Sequence, residues 1–107
     1  MPDIGKAVQD LTKAAQDYGA ARREEEAAQT DEEAQLAAMK AASKAVMRAK
    51  GKEATAAAGR EFHRVEALWR AANTRRKKAT LARMLAEKKF REKMRKFNEA
   101  MWALMSP

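Results

Sequence analysis

The interior of this chain contains no proline. Pro2 and Pro107 stand at its extreme ends, and only four glycines, Gly5, Gly19, Gly51 and Gly59, lie between them. Proline and glycine are the residues that stop helices and shape reversals, so the sequence offers few places to turn. Ala, Glu, Lys, Arg, Met and Gln fill most of the remainder, and all are strong helix formers. β-Branched residues are few and do not alternate with polar ones. The expected class is all-α, with long helices.

The second constraint is a shortage of side chains that bury well. Alanine dominates the 46% hydrophobic fraction, and Leu, Ile, Val and Phe together number thirteen of 107 residues. That is below the roughly 20% under which a highly charged chain is suspected of disorder. Seven Met and two Trp recover part of the deficit. Each buried CH2 contributes only about 0.8 kcal/mol, against an ordering cost of about 1–2 kcal/mol per residue. A chain of one domain's length with this composition is expected to need lengthwise helix pairing, an oligomer or a larger assembly.

Charge is segregated along the chain. Residues 1–35 carry Lys6, Lys13, Arg22 and Arg23 against nine acids, a net of −5. Residues 60–96 carry fourteen Lys and Arg against Glu61, Glu66, Glu87 and Glu92, a net of +10. The formal total of +8 therefore belongs to the second half.

Pro2 and Asp3 suit a helix start. Ile4, Val8, Leu11, Ala15 and Tyr18 recur at spacings of four and three and so share a helical face. From Gly19 to Gln35 no large apolar residue occurs; Leu36, Met39, Val46 and Met47 then resume the pattern. Thr30-Asp31-Glu32-Glu33 has the form of a capping box. Gly51 follows Lys50 as a glycine would follow a helix end, and Gly59 bounds the segment on its far side. The expected organisation is a single unit, 1–107, with a first arm over 3–50, a turn over 51–59 and a second arm over 60–105. A three-helix variant would break near 29–31 or 73–75. In the second arm Phe62, Val65, Leu68, Trp69 and Ala72 mark one face, while Leu81, Met84 and Leu85 point the opposite way.

Folding the chain about residue 55 predicts a long antiparallel hairpin. Glu24 to Glu33 then lie beside Arg75, Arg76, Lys77, Lys78 and Arg83; Ile4, Val8 and Leu11 meet Met101, Trp102 and Met105; Val46 meets Val65 and Leu68. Acid faces base and apolar faces apolar. The charge match alone would be worth little at an exposed surface, but with the apolar match it fixes direction and register.

No catalytic constellation is present. His63 is the single histidine, flanked by Arg60, Phe62 and Arg64, and reads as a surface residue. Glu24-Glu25-Glu26 and Asp31-Glu32-Glu33 are runs rather than paired carboxylates. No cysteine is present, so thiolate metal sites and disulfides are excluded, and no loop has calcium-binding spacing. Gly51-Lys52-Glu53 lacks the earlier glycine and the hydroxyl residue of a phosphate loop. The protein is expected to be non-enzymatic, with no cofactor and no small-molecule substrate. The first residues lack a basic and then apolar leader, and no stretch approaches the ~20 apolar residues of a membrane span. A cytoplasmic location or the interior of a virus particle is the most compatible setting.

Two features point to partners. Arg75-Arg76-Lys77-Lys78, with Lys88 and Lys89, could contact phosphates, because each neutralised phosphate releases counterions; a solvated or internally paired face is the alternative. Phe90, Met94, Phe97, Met101 and Leu104 keep the 4-3-4-3 rhythm of a coiled-coil seam. Together with Trp102, Leu81, Met84 and Leu85 they are the expected interface with the first arm, with further copies or with larger proteins. The leading functional expectation is a structural assembly subunit of a virion or nucleoprotein particle. Non-specific nucleic-acid binding comes next, and a basic amphipathic membrane-surface helix third.

Overall fold

A computed structural model describes residues 3–106 as two long α-helices, α1 (Ile4–Arg48) and α2 (Lys52–Met105), paired as an antiparallel hairpin without strands. Pro2, expected to help start the first helix, lies outside the described residues. Asp3 caps α1: its Oδ1 accepts from Lys6 N at 3.0 Å, and its carbonyl accepts from Ala7 N at 3.1 Å.

The reversal is shorter than the expected 51–59. α1 ends at Arg48 and α2 begins at Lys52. Ala49, Lys50 and Gly51 make the turn, and Gly51 takes φ +93°, a conformation that costs an L-residue about 1–2 kcal/mol. Its carbonyl already accepts the first α2 bond, from Thr55 N at 3.0 Å. With the reversal complete by Gly51, Ala54 to Ala58 follow their helix propensity and Gly59 is carried inside α2. Neither expected break occurs. Thr30 does not cap; its hydroxyl donates to the Glu26 carbonyl at 3.0 Å. Thr74 bonds back to Arg70 in the same way. Each hydroxyl is thus satisfied inside an unbroken helix.

Which positions are sheltered explains how the arms pair. On α1 the line Ile4, Leu11, Tyr18, Glu25, Glu32, Met39 and Val46 is half-buried, and so is a second line, three residues on from the first, of Ala7, Ala14, Ala21, Ala28, Gln35, Ala42 and Ala49, in which Ala14, Ala28 and Ala42 are fully buried. α2 repeats the scheme. Its large line is Phe62, Trp69, Arg76, Arg83, Phe90 and Phe97, and its small line is Ala58, Val65, Ala72, Ala79, Ala86, Lys93 and Ala100. Each arm therefore presents a seven-residue repeat of one large and one mostly small residue, with Gln35 on α1 and Lys93 on α2 as the exceptions at the small position. Among the described residues the buried side chains are five alanines and Val65. Small residues at the contact allow close approach, toward the short end of the usual 8–10 Å between helices.

The expected apolar faces are corrected accordingly. Ala7 and Ala14, not Val8 and Ala15, join Ile4, Leu11 and Tyr18 at the seam, and Val8 stays exposed. Leu68 is exposed beside the Phe62–Val65–Trp69 line. Lys93, not Met94, stands between Phe90 and Phe97 on the seam, and Ala100, not Met101, stands between Phe97 and Leu104. Counting apolar residues selects Val8 and Met101, whereas close packing selects the smaller Ala7 and Ala100; at Lys93 the seam takes a long side chain whose ammonium reaches Asp10.

Candidate functional site: seams and exposed faces of the hairpin

The chain forms two compact units, residues 26–78 and residues 3–25 with 79–106. In the turn-side unit, Glu32 is the central acceptor. Asn73 Nδ2 donates to it at 2.7 Å, and Arg76 Nε lies 3.3 Å from both carboxylate oxygens. Asp31 pairs more loosely with Arg75 at 3.7 Å. Met39 and Val46 occupy the same line as Glu32, one and two heptads on, and the register sets them opposite Trp69 and Phe62. The Trp69 indole N–H is buried without an acceptor. His63 is exposed and meets the edge of Phe62.

In the terminal unit, Tyr18 stacks on Phe90 with centroids 5.7 Å apart and planes 7° from parallel, and the Arg22 guanidinium sits 5.8 Å above the same tyrosine. One heptad toward the turn, Arg83 Nε donates to Glu25 at 3.1 Å, and its Nη1 donates to Glu87 at 2.8 Å. Arg91 holds the other Glu87 oxygen at 2.6 Å. The Glu25 side chain is only 14% exposed. The hydrogen bond from Arg83 holds its carboxyl below the ordinary carboxylate range, with Thr80 and the charges of Arg83 and Arg22 adding to it against the opposing effect of desolvation. The same contacts hold the Arg83 guanidinium protonated. The pairs 18/90, 25/83 and 32/76 step by seven on both arms, so acid and base take the seam positions that aromatic residues take elsewhere.

These geometries sort the expected site residues. The run Arg75-Arg76-Lys77-Lys78 divides: Arg75 and Arg76 are held by Asp31 and Glu32, while Lys77 and Lys78 are exposed on the far side of α2. Lys88 and Lys89 are exposed as well. Between these lysine pairs Leu81, Met84 and Leu85 form a patch 61%, 51% and 69% exposed. Phe90 and Phe97 are half-buried seam residues. Trp102 and Met105, expected opposite Ile4 and Leu11, are instead 72% and 73% exposed, because the seam repeat passes through Phe97, Ala100 and Leu104. Leu104 itself is half-exposed. Sequence reasoning assigned Glu25 and Glu32 to charge runs and missed their seam positions. The signal was their spacing of seven from Tyr18 and Met39.

The two broad sides of the terminal unit differ. One is ionic: Lys93 reaches Asp10 at 3.9 Å, with Asp17 and Lys89 beside them. The other is apolar and holds an open groove of about 660 Å³ lined by Leu11, Ala15, Gly19, Phe90 and Met94, with Arg23 at its rim. No group of three or more His, Cys, Asp or Glu placed to hold a metal ion occurs among the described residues, and no described helix is long and apolar enough to cross a membrane. Comparison with protein-family models, with curated proteins and with solved structures finds no match.

Proposed function

We propose that this chain is a non-enzymatic assembly subunit, a helical hairpin that acts by being covered by copies of itself or by larger protein components. One observation carries the reading. Among the described residues the buried side chains are alanines and one valine, while Leu81, Met84, Leu85, Trp102 and Met105 are all more than half exposed. Burying a large apolar side chain contributes about 1.5–3 kcal/mol, so the chain leaves on its surface much of what would stabilise it. Sedimentation with circular dichroism across concentration tests this. Helicity and melting temperature should rise with association, and Leu81→Glu with Leu85→Glu should weaken the assembly while leaving the seam intact. A dilute chain that stays monomeric, and melts cooperatively at a temperature independent of concentration, would refute the reading.

A second reading is favoured by a separate observation: Lys77, Lys78, Lys88 and Lys89 project from α2 with no ion pair of their own among the described residues. They could line the flank of a nucleoprotein particle that faces phosphates. Non-specific nucleic-acid affinity would then fall steeply with salt, and Lys77→Ala with Lys78→Ala would reduce the log–log slope by about 0.9 for each phosphate no longer neutralised. Arg76→Ala would instead act through the fold, because Arg76 belongs to the seam.

A further inference from the structure

We infer that the apolar broad side of the terminal unit is a homodimer interface, on which the same side of a second copy packs about a twofold axis parallel to the helices. The inference rests on the assembly reading above and names its partner. α1 supplies one lip of the groove and α2 the other, and they differ in size. Thr12, Ala15 and Gly19 make a low strip on α1 between the larger Leu11, Gln16 and Arg23, whereas Met94 on α2 is long and 38% exposed, and Met101 continues its line at 36%. Gly19 stands in the interior of a long helix, where glycine is less favourable than alanine by about 1 kcal/mol. Nothing in the chain requires it: a Cβ there would meet Arg23 Nη1 at an ordinary 3.5 Å and nothing closer. A half-buried glycine beside the groove, touched only by the movable end of the Arg23 side chain, fits close approach by something outside the chain.

The register states what that is. The residues flanking the seam on this side are Val8, Ala15 and Arg22 on α1 and Met101, Met94 and Glu87 on α2. Ala15 lies between the seam residues Leu11 and Tyr18, and Met94 lies between their counterparts Phe97 and Phe90. Arg22 and Glu87 likewise lie between the 18/90 and 25/83 pairs. A twofold axis along the helices lays α1 of one copy against α2 of the other at matched levels. It then sets Val8 against Met101, Ala15 against Met94 and Arg22 against Glu87, each twice. Long side chains enter the other copy's lip at its small positions, Ala15 and Gly19, and Arg22 meets Glu87 as a further cation beside the carboxylate that Arg83 and Arg91 hold within the chain. The ionic side of the unit, lined by Asp10, Asp17, Lys89 and Lys93, offers no such apolar complement.

Charge exchange between copies tests the pairing. Arg22→Glu and Glu87→Arg are made separately. Each homodimer then holds two like-charge contacts and should be about tenfold weaker than wild type. In a mixture of the two variants every contact is again opposite in sign, so native mass spectrometry should find the heterodimer above its statistical share. Pairing within one chain could not produce that preference. Gly19→Leu is the second variant: it should retain or raise helicity while abolishing the dimer. Wild-type dimer at twice the 12.0 kDa chain mass, with both behaviours, supports the interface. An oligomer indifferent to all three substitutions would overturn this inference while leaving the assembly reading standing. A chain monomeric at every concentration would overturn it too, and would leave the groove to a helix of another protein.

Discussion

Ala28 and Ala27 are neighbours of one residue type, and only Ala28 should be sensitive to enlargement. Ala28 is fully buried in the small-residue line of α1, whereas Ala27 is exposed. Leucine and alanine differ little in helix propensity, so α1 itself is nearly indifferent to either change. At position 28 the three added carbons must enter a contact already closed, and the arms must part or the side chain must leave its rotamer. Overpacking of this kind costs about 1–3 kcal/mol. For a chain near 100 residues each kcal/mol moves the melting temperature by about 4–8 °C, so Ala28→Leu should melt roughly 5–20 °C lower. Parting the arms also lengthens the Arg76–Glu32 contact, now 3.3 Å. Glu32→Gln should therefore cost less in the Ala28→Leu background than alone. Ala27→Leu should stay within about 0.5 kcal/mol of wild type. The assay is thermal circular dichroism at one fixed protein concentration, since association shifts melting. If the two variants melt within about 2 °C of each other, less than half the shift expected from 1 kcal/mol, the close alanine contact is not what pairs the arms.

The two glycines near the reversal should respond with opposite signs in the same assay. Gly51→Ala forces an L-residue to φ +93° and should cost about 1–2 kcal/mol. Gly59→Ala, in open helical surface with nothing within 4 Å, should stabilise by about 0.5–1 kcal/mol. Glu25 makes stability depend on acid. Its carboxyl is held below the ordinary range by Arg83, so its contribution is complete above the unfolded-state pKa, roughly 4 to 4.5, and is lost as pH falls through the lower folded value. Melting temperature measured from pH 7 to pH 2 should thus decline less in Glu25→Gln than in wild type; parallel declines would count against that role. In the turn-side unit, Glu32→Leu or Arg76→Leu alone should cost about 1–3 kcal/mol by stranding half-buried polar partners. The double Leu variant should recover most of that stability.

Much of the architecture is legible in the residues themselves. Absence of interior proline implies long helices, Gly51 marks the reversal, and opposite charge in the two halves implies antiparallel pairing. The seam was harder to read because its informative positions look uninformative. A search for large apolar residues chooses Val8 over Ala7, Met94 over Lys93 and Met101 over Ala100, shifting each face by one residue. It also passes over Glu25 and Glu32, since a carboxylate in a row of apolar positions resembles an interruption. Only the seven-residue spacing from Tyr18 to Glu25 to Glu32 to Met39 reveals the continuity, and its meaning requires Arg83 and Arg76 on the other arm. The exposed patch at Leu81, Met84 and Leu85 was visible as a change of helical face, because it depends on one helix alone.

The charged pairs do for register what alanine cannot. A seam of alternating small and large residues tolerates a slip of one heptad wherever alanine meets alanine, because that contact is the same before and after the slip. The seven-residue repeat makes such a slip the nearest competitor of the observed pairing. Sliding α2 by seven residues in one direction would set Glu25 against Arg76 but Glu32 against Trp69 and Arg83 against Tyr18. Sliding it the other way would set Glu32 against Arg83 but Glu25 against Phe90 and Arg76 against Met39. Either slip preserves one ion pair and strands one acid and one base among aromatic or thioether side chains. A half-buried charge without a partner is far more costly than its pair is favourable. The discrimination between registers therefore exceeds the small stabilisation that the pairs supply in the correct one. The two ionic layers are best understood as what makes a thin, repetitive seam unique, and a unique register is what gives the exposed apolar residues a fixed arrangement for a partner to meet.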